Sequence, residues 1–296
     1  MPRPVHSAWI TDQASGASAG AFTSLFPWWS FTKTVLAVAA LRLVEAGELD
    51  LDVPRPGRAY TLRQLLAHRA GVPNYGGLPA YSEAVARNED AWSRRQLLDA
   101  AGADRLLFQP GTGWAYSNIG YLFVREAIEE ATGRPLAAAL RDLVLDPLGL
   151  KSARLAVTRS DFRQVQWPAP GSYDPAWVYH GCLIGSAPDA AGLLHAVLGG
   201  ALLESPSVLL ERRTSLDTAS RAGPWTECGY ALGLMIGRMG EAGRAIGHSG
   251  AGPGGTAAVY HFPDLDRPVT VAAFTDDPDE GVAEAEALAV AVLAQA

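Results

Sequence analysis

A chain of 296 residues, 48% hydrophobic and 19% charged, holds ample material for a core and is too apolar to be disordered. Its net charge of −7 presents no basic face to nucleic acid or an anionic membrane, and no apolar run reaches the roughly 20 residues of a membrane span. Cys182 and Cys228 stand alone, without a Cys-x-x-Cys pattern, and are expected to be small core residues rather than a disulfide or metal site. The first residues, Met-Pro-Arg-Pro-Val-His-Ser, lack an apolar signal region, so a cytoplasmic location is expected.

In chain order, residues 6–11 and 21–26 read as two short edge strands. Residues 34–45 read as a helix, with good helix formers, no proline and Gly47 as its stop. Apolar on nearly every face, this helix is expected to be buried. Ser30 and Lys33 stand at its start, and a spacing of three stacks their side chains one turn apart on one helix face. An amine in an apolar setting, at the positive end of a helix, is pushed toward its neutral form and can serve as base for a serine nucleophile. The plainer alternative is an N-cap beside a surface charge. Against it, Lys33 and Lys151 are the only lysines in a chain that otherwise uses arginine. Arginine does not deprotonate in proteins, so a lysine kept here points to chemistry.

Thr61 is expected to cap a short amphipathic helix over 62–67, and Ser93 to open another through residue 101. A turn-rich loop, 108–114, delivers Tyr116-Ser117-Asn118 to a helix over 119–132 that Gly133 closes. Pro135 suits the first turn of the next helix, to about residue 144. Residues 181–186 are expected as a loop, Ser186 as the cap of a helix over 187–198, and 206–216 as helical. From Tyr230 the period becomes that of strands, at 231–239, 245–248, 256–262 and 269–274, before an alanine-rich helix over 279–296. Strands at both ends with helices between them predict an α+β fold. Residues 1–52 and 217–296 would form an α/β domain carrying the sheet and Ser30, and residues 53–216 a mostly helical domain carrying Tyr116.

Two further motifs carry polar groups. Tyr116 beside a serine and a lysine can relay a proton, and the Asn118 amide can hold a carbonyl while orienting the lysine. Alone, they read as a half-buried aromatic and an N-cap. Gly247-His248-Ser249-Gly250-Ala251-Gly252 lies between two strands, where a glycine-flanked edge lets a substrate approach the backbone. The overlapping G-x-G-x-x-G pattern of residues 250–255 has no helix after it and contains Pro253, so no dinucleotide site is expected. The near match of residues 247–251 to G-x-S-x-G fails on Ala251. No zinc motif or P-loop is present, and no cofactor is expected.

Together Ser30-x-x-Lys33, Tyr116-x-Asn118 and His248-Ser249-Gly250 resemble the serine β-lactamase-like hydrolases: class C β-lactamases, D-alanyl-D-alanine carboxypeptidases and family VIII esterases. The stretches 41–52, 61–73 and 146–150, and Pro110-Gly111 ahead of Tyr116, add to the resemblance. It implies a β-lactamase/transpeptidase-like fold, an antiparallel sheet flanked by terminal helices with an all-helical insertion. It also implies Ser30 as the acylated nucleophile, Lys33 and Tyr116 as a shared base, Asn118 as a ligand of substrate or lysine, and an oxyanion hole from the backbone N–H groups of Ser30 and Ala251. His248 stands where β-lactamases and carboxypeptidases usually place a lysine. A neutral imidazole is a poorer anchor for a carboxylate at pH 7, and histidine there is common among the esterase-like members. His248, Ser249 and Gly250 are expected to bind substrate, and Trp28 and Trp29 to form an aromatic wall or to pack the helix entrance. The expected partner is a small-molecule ester or amide, with no nucleic acid or membrane. The expected activity is that of a carboxylesterase acting through an acyl-enzyme. A β-lactamase or D-amino-acid amidase or peptidase comes second, and a non-catalytic binding protein on the same fold is the alternative of another class.

Overall fold

The computed structural model describes residues 4–55, 57–167, 173–211, 213–218 and 223–296. Among them the strands are β1 (Val5–Ile10), β2 (Ser15–Ala17), β3 (Phe26–Pro27), β4 (Arg154–Ala156), β5 (Cys182–Gly185), β6 (Thr214–Leu216), β7 (Trp225–Tyr230), β8 (Met235–Met239), β9 (Arg244–Gly252), β10 (Gly255–Phe262) and β11 (Val269–Thr275). The α-helices are α1 (Thr32–Glu45), α2 (Leu62–Leu66), α3 (Pro79–Ala86), α4 (Arg94–Ala100), α5 (Asn118–Thr132), α6 (Leu136–Leu140), α7 (Arg159–Phe162), α8 (Ala187–Leu198) and α9 (Glu280–Leu293). The main sheet runs β2-β1-β11-β10-β9-β8-β7-β6, and a small second sheet runs β3-β5-β4. Every named pairing is antiparallel.

The period of two along β10 and β11 sorts their side chains onto two faces. Ala257, Val259, Ala272 and Phe274 face the large core that also holds α1 and α8. Ala258, Tyr260, Val271 and Ala273 face a second core closed by Ala283, Ala287 and Ala291 of α9. Helix α8, which lies inside the segment expected to be mostly helical, packs on β1 and β11. Helix α1 crosses the large core with Val35, Leu36 and Val38 fully buried; each such side chain contributes roughly 1.5–3 kcal/mol of burial free energy. It ends as its sequence predicts, with Gly47 at φ +75°. Helix α5 ends likewise at Gly133, φ +63°, but Ser117 rather than Asn118 caps its start, accepting from the Gly120 N–H at 2.8 Å.

Four expected elements differ. Residues 21–23 are turn, not strand; Leu25 makes a single bridge to Val165, Phe26 and Pro27 alone form strand β3, and β1 lies inside the sheet because β2 covers its edge. Residues 182–185 form strand β5 rather than a loop, paired on both sides. Gly185 belongs there because a Cβ would stand 2.7 Å from Cζ2 of Trp28. The expected helix over 206–216 is a single 3₁₀ turn, Pro206–Leu210, followed by β6 on the sheet edge. Residues 231–234 are the tight turn between β7 and β8, closed by Ala231 N–H to Leu234 O at 2.9 Å. Strand β7 therefore precedes the point where the sequence suggests that strands begin.

Candidate active site

Ser30 sits in a 3₁₀ turn, Trp29–Phe31, that runs directly into α1. Trp29 holds φ at +42°, a region costly for a residue with a Cβ and common where a side chain must be aimed. Three packing contacts keep the turn in place. Trp28 N–H donates to Leu183 O at 2.8 Å, Leu183 N–H to Thr32 Oγ1 at 3.0 Å, and Thr34 Oγ1 to Gly233 O at 2.7 Å. From the other side β9 presses on it. A Cβ on Gly250 would lie 2.4 Å from the Ser30 backbone nitrogen, and one on Gly252 2.5 Å from the Trp29 ring. The glycines of the third motif let a strand lie against the turn that carries Ser30.

Two groups converge on Ser30 Oγ: Lys33 Nζ at 3.1 Å and the Tyr116 hydroxyl at 2.8 Å. Lys33 is fully buried. Burial pulls its amine from 10.5 down to about 7, with Glu280 first and Cys182 second acting in the opposite direction. Near neutral pH it can therefore give up or take a proton. Its ammonium also lies 4.9 Å from the centre of the Tyr116 ring and 5.7 Å from that of Tyr121.

Ser30 stands where two cavities meet. The larger, about 540 Å³, is lined by Trp29, Tyr75, Tyr81, Tyr173, Val178 and His180, with no charged side chain among its described lining residues. The smaller, about 340 Å³, is lined by Trp114, Tyr116, Tyr230, His248, Ser249 and Glu280 among others. Asn118 and Ala251 line both. Among the described residues no cluster of His, Cys, Asp and Glu could hold a metal ion.

A family model described as Beta-lactamase matches residues 3–295. The chain belongs to the beta-lactamase family. Members of this family are serine hydrolases, and the chain is similar to several. It is 36% identical to Esterase EstB of Burkholderia gladioli over 151 residues, 43% of this chain and 38% of the relative. It is 27% identical to Penicillin-binding protein 4* of Bacillus subtilis over 270 residues, 81% of this chain and 58% of the relative. The matches thus span between about a third and three fifths of these relatives' lengths. Among solved structures, D-amino acid amidase from Ochrobactrum anthropi, complexed with L-phenylalanine amide, superposes with a TM-score of 0.80. It is 20% identical and covers 99% of this chain and 94% of its own, a likeness of fold.

Within this family fold, the residues singled out by sequence take different places. Ser30, Lys33, Tyr116, Asn118 and Ala251 meet at the junction of the cavities. Trp29 walls the larger one, but Trp28 does not: it is fully buried in the core against Phe31 and Gly185. Adjacent residues cannot both face one cavity when the backbone turns this sharply between them. His248 is also buried, with Nε2 3.0 Å from the Tyr230 hydroxyl and Nδ1 against the Ser249 carbonyl. Both ring nitrogens are thus engaged by the protein. Ser249 donates to the Glu284 carboxylate at 2.8 Å, toward α9. Gly250 serves by having no side chain.

Two histidines of the site escape the sequence reading. His68, buried at φ +56°, brackets Tyr116: its carbonyl accepts from Ala115 N–H at 3.0 Å and its Nδ1 from Ser117 N–H at 3.1 Å. Its ring lies 4.3 Å from the Tyr116 ring. Burial first, then the charges of Lys33 and His248, keep it well below the ordinary 6.5. His180 Nε2 lies 3.1 Å from Lys33 Nζ. His68 lies in the 61–73 stretch that adds to the resemblance but carries no sign there of a place in the site, His180 lies in no motif, and each meets its partner across a long stretch of chain.

Proposed function

We propose that the protein is a carboxylesterase that works through an acyl-enzyme on Ser30. The observation that carries this reading is the convergence of Lys33 and Tyr116 on one serine hydroxyl at hydrogen-bond distance. In this mechanism Ser30 Oγ attacks the ester carbonyl while its proton passes to the neutral Lys33 amine, with Tyr116 sharing in the transfer. The backbone N–H groups of Ser30 and Ala251 hold the developing oxyanion. The tetrahedral intermediate expels the alcohol, which receives the proton through Tyr116. Water then attacks the acyl-enzyme, the same base takes its proton, and the acid leaves with Ser30 restored.

Tyr116 lines the smaller cavity, so the leaving group belongs there, and the acyl group belongs in the larger, aromatic one. The larger cavity's volume and uncharged aromatic lining suit a small or medium apolar acyl chain. Glu280 lines the smaller cavity, and neither cavity has a lysine or arginine among its described lining residues. That disfavours substrates bearing a carboxylate, and with them the β-lactamase and carboxypeptidase readings. Cytoplasmic residence is part of the proposal, in keeping with Cys182 and Cys228 being buried in separate cores rather than joined to each other as a disulfide. No described helix is long and apolar enough to cross a membrane.

The test is hydrolysis of p-nitrophenyl butyrate beside a chromogenic cephalosporin and a D-amino-acid p-nitroanilide, with Ser30→Ala as control. Ester cleavage lost in the variant, with little turnover of the other two, is the expected result. Faster cephalosporin or anilide turnover would replace the esterase reading by the lactamase or amidase one. If folded protein cleaves nothing and a fluorophosphonate does not label Ser30, the fold serves binding instead.

A further inference from the structure

His180 is 3% exposed and reaches the site from just before β5. Gly181 follows it at φ +95°, its N–H closing a turn onto Val178 O at 2.6 Å. Two residues further on, Leu183 is tied to Trp28 and Thr32 by the hydrogen bonds that frame the nucleophile turn. The imidazole is therefore fixed from both sides and is presented to Lys33. Its Nδ1 finds no partner among the described residues, so contact with Lys33 is the one polar use that these residues make of a buried, desolvated ring. An isosteric apolar side chain would fill the space at lower cost.

An ammonium can only donate. Whenever Lys33 is charged, Nε2 must be the acceptor and the ring must be neutral. His180 meets that condition: burial, followed by the charge of Lys33 and weaker contributions from His248, His68 and Arg125, keeps its imidazole well below 6.5. We propose that His180 is a positioning residue for Lys33: its Nε2 accepts one amine hydrogen, which turns the remaining face of the nitrogen toward Ser30 Oγ and stabilises the ammonium formed when the serine proton is taken. The role as helper of a base rests on the acyl-enzyme reading, whereas the hold on the amine does not. The other groups facing Lys33 are Ser30 on the turn before α1, Tyr116 just ahead of α5 and Tyr121 in its first turn, Cys182 on β5 and Glu280 on α9, with the rings of His68 and His248 nearby. Two neutral groups touch Nζ directly, Ser30 Oγ and His180 Nε2, each at 3.1 Å, and of the two only His180 keeps its place as an acceptor while the serine gives up its proton.

Because the chain has two lysines, the amine can be watched directly. Protein labelled with ¹³C at lysine Cε gives two resonances, and Lys151 serves as internal reference. In the wild type the Lys33 resonance should titrate near pH 7. In His180→Leu, which removes the acceptor, its midpoint should fall by about one pH unit, a tenfold change in the protonation equilibrium. His180→Gln, whose amide oxygen reaches the place of Nε2, should keep the midpoint within a few tenths of a unit. His180→Asn, polar but too short, should behave like His180→Leu and replaces it should the leucine variant not fold. An acid limb of kcat/KM that moves with the NMR midpoint would tie the hold on the amine to catalysis. A Lys33 midpoint unchanged in folded His180→Leu and His180→Asn would reduce His180 to a space filler. The titration needs no turnover, so it reads the same whether or not the protein cleaves esters.

Discussion

With its pKa lowered to about 7, the Lys33 amine is half-charged at neutral pH, and the proposed mechanism needs it neutral. kcat/KM for an uncharged ester should therefore rise through about pH 7 and level off above it, as a pH–rate profile would check. Lys33→Arg retains the charge and cannot shed a proton, so activity should fall by roughly 10²–10⁴ at every pH; an active arginine variant would move the base elsewhere. Tyr116→Phe should lose a comparable factor while Ser30 remains reactive to a fluorophosphonate, only more slowly. At this scale the sequence is informative where chemistry is local: Ser30 and Lys33 lie one helical turn apart, and the scarcity of lysine marks the second of them. His180 stays hidden because its partner is 147 residues away, and a lone histidine carries no signature of what it will touch. The two tryptophans look alike in sequence; the positive φ at Trp29 decides that one walls a cavity and the other fills the core.

Strand β9 illustrates how an element serves the site through what it lacks. A methyl group on Gly250 would collide with backbone, not with the end of a flexible side chain. Gly250→Ala should therefore displace the turn, lowering the rate of Ser30 labelling at least tenfold and the thermal midpoint by several degrees. Gly192→Ala is the counterpart: within α8, with open space around the added methyl, it should stabilise the protein by roughly 0.5–1 kcal/mol in urea unfolding. Helices with their own caps were legible, as the Thr61 and Ser93 capping boxes show. So were β10 and β11, whose apolar runs are long. Short β3, β5 and β6 were not, because two to four residues hold strand geometry only through neighbours far away in the chain, and tertiary pairing overrides local preference.

For the whole molecule, the buried amine is a cost that depends on pH. The unfolded lysine holds its proton up to about pH 10.4, and the folded one releases it near 7. Between these values the unfolded state binds more protons, so stability rises with pH; below 7 the full cost of burying the charge applies. Lys33→Met should accordingly stabilise the fold at pH 6 by a few kcal/mol, on the order of 3–5 by the size of the shift, and by much less at pH 10. Equal gains at both pH values in urea titrations would refute this. The residues that build the candidate site come from 30–33, 116–118, 180 and 250–251, spread across most of the chain's length and gathered from the turn into α1, the approach to α5, the approach to β5 and β9. They come together only through the long-range packing of the folded chain. Covalent labelling of Ser30 should thus count native molecules one by one, so that the labelled fraction across a denaturant series traces the folding transition itself and turns the nucleophile into a built-in census of the folded population.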